Sequence, residues 1–221
     1  MKNLEQYRGC LIGGAAGDAL GYAVEFPGTD AAVKKYGKSG SKNCKLHNGI
    51  APVSSVTQMT LFTANGLLLG TTRGMTRGIM GSYPAYIAAC YKDWLQTQSA
   101  AYPLRPRSPY SWLVNEPELF ARRDPGNTCI SAIINGADGT IDAPMNQSKG
   151  CGGMVRVAPI GLYLGGRRYE SDKIDMIGAE TAALTHGHEL GYIPAAAFVH
   201  IIQRLSHNED ISLYEAVRDT E

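Results

Sequence analysis

The sequence predicts an all-α protein, and three observations carry that prediction. Apolar residues recur three and four apart along several stretches, hydroxyl or proline residues sit where first helical turns would begin, and no run alternates β-branched residues at the two-residue period of a strand. The expected product is a helical bundle with its functional residues on helix ends and connecting loops.

Residues 4–22 are apolar and rich in small side chains. Gly13, Gly14, Ala15, Ala16 and Gly17 suit a helix crossed closely by its neighbours, which predicts a place at the centre of the fold. Residues 25–53 are rich in Gly, Lys, Ser and Asn without apolar periodicity and read as a long excursion of the kind that often carries function. A helix starts at Ser54 or Ser55, where a hydroxyl cap precedes Gln58 and the apolar positions Met59, Leu61, Phe62, Leu67 and Leu68. Pro84 falls in the first turn of the next helix, over 83–94. The proline-rich stretch 101–126 predicts an irregular connection and 127–134 a short helix; 157–163, 175–184, 194–205 and 212–218 continue the helical pattern.

With 221 residues, 44% hydrophobic and 19% charged, the chain can bury one core, and a single domain over 1–221 is expected. Its 21 Lys and Arg nearly cancel its 20 Asp and Glu, so charge draws it neither to nucleic acid nor to an anionic membrane. The five cysteines, Cys10, Cys44, Cys90, Cys129 and Cys151, show no metal-ligand spacing and suit a reducing compartment. The N-terminal residues lack a signal peptide's layout, and no apolar run is long enough to span a bilayer. These features predict a soluble cytoplasmic protein.

Three segments carry candidate chemistry. Asp18 and Glu25 place two carboxylates at the close of the first helix, where either can orient a ligand or transfer a proton, or simply satisfy backbone donors and solvent. The stretch Asn146-Gln147-Ser148-Lys149-Gly150-Cys151-Gly152-Gly153 reads as a glycine-rich turn opening a helix, whose N–H groups and dipole suit a diphosphate. In Leu184-Thr185-His186-Gly187-His188-Glu189, two histidines stand beside an acid; as a zinc site the segment lacks a further ligand, and capping a helix is the commoner role.

In this order the segments resemble the ADP-ribosylglycohydrolase family, which includes dinitrogenase reductase-activating glycohydrolases and ADP-ribosyl-acceptor hydrolases. The resemblance rests on Arg8-Gly9-Cys10 through Glu25-Phe26, Thr57-Gln58-Met59-Thr60-Leu61-Phe62-Thr63-Ala64, Pro125-Gly126-Asn127-Thr128-Cys129, Ser148-Lys149-Gly150-Cys151-Gly152 with Arg156 and Pro159, and Thr185-His186-Gly187-His188. It implies a compact orthogonal helical bundle and hydrolysis of a glycosidic bond to ADP-ribose, with two magnesium ions near the ribose. It also implies that Glu25 works beside the metals and that Asp18 is a buried support. By the same resemblance Ser148, Gly150, Cys151 and Gly152 belong to the diphosphate turn, and Asn127 and His186 line the ribose region.

The sequence departs from that pattern where the metals would bind. Ser54, Ser55 and Val56 stand where the family carries a hydroxyl residue and then Asp-Asp, and the chain runs to Arg218-Asp219-Thr220-Glu221 without the family's C-terminal Asp-x-Asp-Thr. Magnesium prefers hard oxygen ligands, and two such ions about 4 Å apart need several carboxylates to coexist. The expectation is therefore a catalytically impaired protein with no cofactor that keeps a site for ADP-ribose or a related nucleotide. Two alternatives stand beside it: a magnesium-using hydrolase dependent on Glu25, and a non-catalytic interaction or inhibitor protein reusing the fold. Loss of the family's C-terminal helices would uncover apolar surface, which predicts a homodimer or a protein partner over that face.

Overall fold

The computed structural model describes residues 4–25, 33–34, 37, 46–79, 81–104, 108–167, 169–208 and 210–220, with Glu25 described by its backbone alone. Most of the expected long excursion, including Cys44, lies outside the described residues. Eight α-helices are defined among the described residues: α1 Leu4–Glu25, α2 Ser55–Arg77, α3 Tyr83–Thr97, α4 Asn127–Ile134, α5 Ala158–Leu164, α6 Ser171–Ala183, α7 Glu189–His207 and α8 Leu213–Arg218. The only β pairing among them is an isolated bridge between His47 and Ile50.

The helix ends follow local chemistry. Ser54 is extended and its side chain accepts from the Val56 N–H, which starts α2; Gly78 ends it in the left-handed region at φ 69°. Ser82 caps α3, with Pro84 in the first turn, where a missing N–H costs nothing. Ser212 and Glu215 form a reciprocal capping box at α8. Helix α7 begins five residues earlier than the expected start at Pro194, because the His188 ring accepts from the Leu190 N–H and supplies a cap. Pro194 then lies inside the helix, where it forgoes one bond to the carbonyl one turn back.

Packing runs in two helix pairs joined through α5 and by direct contact of α3 with α6. Helix α2 lies along α3, α6 along α7, and α5 contacts α2, α6 and α7. Close crossing depends on three glycines. A Cβ on Gly66 of α2 would stand 2.6 Å from the Ile87 Cα, one on Gly161 of α5 would stand 2.5 Å from the Val199 carbonyl, and one on Gly178 of α6 would stand 2.7 Å from Val199 Cγ2. Phe62, Ile87, Tyr91, Trp94, Ile160, Leu164, Ile174 and Val199 fill the core between these pairs.

The expected central position of α1 is not what the structure has. Among residues 4–24 only Ala19 is buried, and Ile12 is 66% exposed. Among the described residues, nothing stands within 4 Å of where a Cβ would be on Gly9, Gly13, Gly14, Gly17 or Gly21. Small residues permit a close crossing but cannot cause one, and here the neighbours cross elsewhere. Exposed apolar side chains also include Leu190 and Ile193 on α7 and Leu213 and Tyr214 on α8.

The irregular connection 108–126 is ordered by buried polar groups. Asp93 Oδ2 accepts from the Tyr110 and Ser111 N–H groups at 2.6 and 2.7 Å. Gln58 donates to the Ala121 carbonyl while its own carbonyl accepts from Trp94 Nε1 and Gln98 Nε2. These bonds bring the end of the connection back to the head of α2.

Candidate functional site

The first group of candidate residues gathers at the head of α2. Asp18, two turns before the end of α1, accepts on Oδ2 from the Ser54 N–H at 2.9 Å, the Thr57 N–H at 3.3 Å and the Thr57 hydroxyl at 2.5 Å. A carboxylate here meets both the first orphan donors of α2 and the positive end of its dipole. Four residues along α1, the Tyr22 hydroxyl donates to Asp124 Oδ2 at 2.5 Å. Burial, with Asp124 beside it, pushes the Tyr22 hydroxyl up to about 12, so it stays a donor. Asp124 itself has φ 48°, and its neighbour Arg123 receives the Ser55 N–H on its carbonyl at 2.8 Å. Glu25 closes α1; its side chain lies outside the described residues.

The second group gathers around a turn. The glycine-rich turn does not open directly onto an α-helix, as the sequence suggested: Cys151–Gly153 forms one short 3-10 turn, and α5 begins only at Ala158. The intervening backbone is a succession of turns, and Arg156 within it buries its guanidinium in the core. The turn is stapled from below by Asn146. Its amide donates to the Thr185 carbonyl at 2.9 Å and accepts from the Ser148 and Gly187 N–H groups at 2.9 and 3.3 Å. Ser148 Oγ accepts from the Gly150 N–H and donates across 3.5 Å to Thr128 Oγ1, in the first turn of α4 beside Asn127. Among the described residues the N–H groups of Cys151 and Gly152 meet no acceptor.

His186 lies directly beneath this turn and is 2% exposed. A Cβ on Gly150 would stand 3.4 Å from its Nε2, and one on Gly152 would stand 3.2 Å from it and 3.3 Å from Cys129 Sγ. Burial, and secondarily the Arg156 charge, lower the imidazole to about 4, so it is neutral near pH 7. Thus Ser148, Gly150, Gly152 and His186 come together, with Cys151 exposed at the turn and Asn127 exposed at the start of α4. Asp18 belongs to the first group, and segment 123–128 links the two. Tyr22, Asn146, Thr185 and Arg156 join these groups, marked in the sequence only by their positions inside motifs, and Asp124, which no motif marked, joins them through Tyr22.

The described donor set at the head of α2 does not fit a pair of magnesium ions. Ser54 Oγ is engaged as the cap, Ser55 Oγ faces the Asp124 carbonyl at 3.5 Å, Val56 offers no oxygen on its side chain, and Asp18 Oδ2 already takes three donors. Among the described residues no three His, Cys, Asp or Glu side chains form a group able to hold a metal ion. His188 is occupied as the α7 cap and does not join His186 as a ligand. A hollow of about 660 Å³ lies on a different face, between α3, α6 and the 136–142 loop, and none of the candidate residues line it. No helix among the described residues is long and apolar enough to cross a membrane.

Against known proteins, no curated sequence matches this chain. A profile of the ADP-ribosylglycohydrolase family does, over residues 1–221. With the motifs on α1, α2, α4, the 148–152 turn and the 185–188 turn all inside that match, this chain belongs to the ADP-ribosylglycohydrolase family.

Proposed function

We propose that this protein binds ADP-ribose, or a molecule carrying that group, over the 148–152 turn, and does not hydrolyse it by the two-metal route its family implies. The observation that carries the reading is the state of Asp18. Its inner oxygen is saturated by Ser54 and Thr57, while Ser55 and Val56 bring no charge to the same place. Two divalent cations need several carboxylates to offset their mutual repulsion, and this helix head supplies hydroxyl and isopropyl groups instead. The binding half is supported by the open N–H groups of the turn, the neutral His186 below it and the hydroxyls of Ser148 and Thr128 at its edge.

Titration calorimetry with ADP-ribose, run with magnesium and again with a chelator, tests this directly. Equal heats in the two buffers are expected, together with no release of free ADP-ribose from arginine-linked or serine-linked conjugates. Release that requires magnesium and disappears in Glu25→Gln would overturn the non-hydrolytic half. Absence of both heat and thermal stabilisation would overturn the binding half.

A further inference from the structure

Arg156 is 0% exposed, and among the described residues no carboxylate pairs with it. Its guanidinium lies over the Tyr91 ring at 4.6 Å and faces Met59 Sδ and Cys129 Sγ at 3.7 and 3.5 Å. Its Nη2 donates to the Thr181 carbonyl at 3.2 Å and to Thr185 Oγ1 at 2.7 Å. A guanidinium has donors only, so Thr185 must receive that bond on a lone pair. A hydroxyl carries a single proton, and the acceptor within reach of this one is His186 Nδ1, at 2.8 Å. When Nδ1 of a neutral imidazole accepts, the ring proton resides on Nε2. That edge of the ring is the one beneath Gly150 and Gly152.

We propose that Arg156, acting through the Thr185 hydroxyl, is a positioning residue that locks His186 as its Nε2–H tautomer, presenting a neutral hydrogen-bond donor at the 150–152 turn to an anionic oxygen of the ligand. The ligand half rests on the reading of this turn as an ADP-ribose site; the tautomer half does not. The opposite tautomer would turn a lone pair toward a phosphate oxygen and repel it. A charged imidazolium is disfavoured by the adjacent guanidinium, so the relay obtains a donor without adding a second buried cation. The glycines matter for the same reason: a side chain at 152 would press on the ring edge that must stay available, and one at 150 would touch it.

Long-range nitrogen–proton correlation spectra of ¹⁵N-histidine-labelled protein, without ligand, read the tautomer of His186 directly. The wild type is expected to show a protonated Nε2 and a bare Nδ1. Thr185→Ser should keep that signature, and Thr185→Val should lose it. ADP-ribose affinity should fall about tenfold in Thr185→Val, the loss of one well-placed hydrogen bond, and stay within about twofold in Thr185→Ser. A wild-type Nδ1–H tautomer, or an unchanged spectrum in Thr185→Val, would overturn the relay, and the wild-type spectrum decides even where the valine variant does not fold. An intact Nε2–H signature with no ADP-ribose binding would uphold the relay and overturn the ligand half along with the proposed function.

Discussion

Asp18 concentrates three donors on one oxygen, which makes it the residue whose loss the head of α2 feels most. Asp18→Ala leaves two backbone N–H groups and a hydroxyl without their acceptor, and a cost of about 1–3 kcal/mol is expected in urea unfolding. His186 makes a second prediction, in pH. Its folded value, about 4, lies below the ordinary 6.5, so between these values the unfolded chain binds more protons than the native one. The stability it contributes is therefore complete above pH 6.5 and is lost as pH falls toward 4. The loss approaches about 1.4 kcal/mol per pH unit at its steepest. Burial raises the carboxyls of Asp93, Asp175 and Glu180, which act in the opposite sense near the acid end. The difference between wild type and His186→Gln isolates the histidine: the wild-type curve should fall more steeply over pH 6.5 to 4, and parallel curves would refute this account.

Among the helices, glycine has two distinct meanings in one chain. On α1 the positions that would receive a Cβ at Gly13 and Gly17 are open among the described residues, so a methyl group there meets none of them and removes backbone freedom from the unfolded chain. Gly13→Ala is expected to stabilise by about 0.5–1 kcal/mol. On α5 the same change at Gly161 drives a methyl group to 2.5 Å from the Val199 carbonyl and 2.9 Å from the Gln203 nitrogen. It should destabilise by about 1–3 kcal/mol by forcing α5 away from α7. Thermal melts of the two variants should move in opposite directions. Several helix starts were legible because their signals are local: Ser54 and Ser212 each sit one residue ahead of the helix they begin, and Pro84 lies in the first turn of α3. The starts of α6 and α7 were not: α6 begins at Ser171, four residues before the expected 175, and at α7 a histidine cap followed six residues later by a proline imitates a later beginning.

At the scale of the whole molecule, the proposed function sets one expectation: ligand binding without a metal. A ligand that binds only the native state stabilises it by about 2.7 kcal/mol at one hundred times its Kd. For a chain of this size that corresponds to a rise in Tm of about 5–10 °C. ADP-ribose at that excess is expected to produce such a rise equally with magnesium and with a chelator, measured by differential scanning fluorimetry. A rise confined to the magnesium sample would mean that an ion completes the site.

The sequence alone determined the helical class, most helix boundaries and the family, and it marked the segments that carry the candidate residues. Each of these depends on spacing along the chain, which periodicity, caps and motifs record. From the resemblance it also raised the expectation that Ser55 and Val56 stand where the family carries acids. Only the tertiary structure decided that α1 lies at the edge, that Asp18 is spent on the head of α2, and that Arg156, buried without a carboxylate partner among the described residues, reaches His186 through Thr185. These are contacts between segments up to 39 residues apart. Which small-residue face is crossed, and which hydroxyl a buried guanidinium meets, follows from how whole helices pack and is carried by no local pattern.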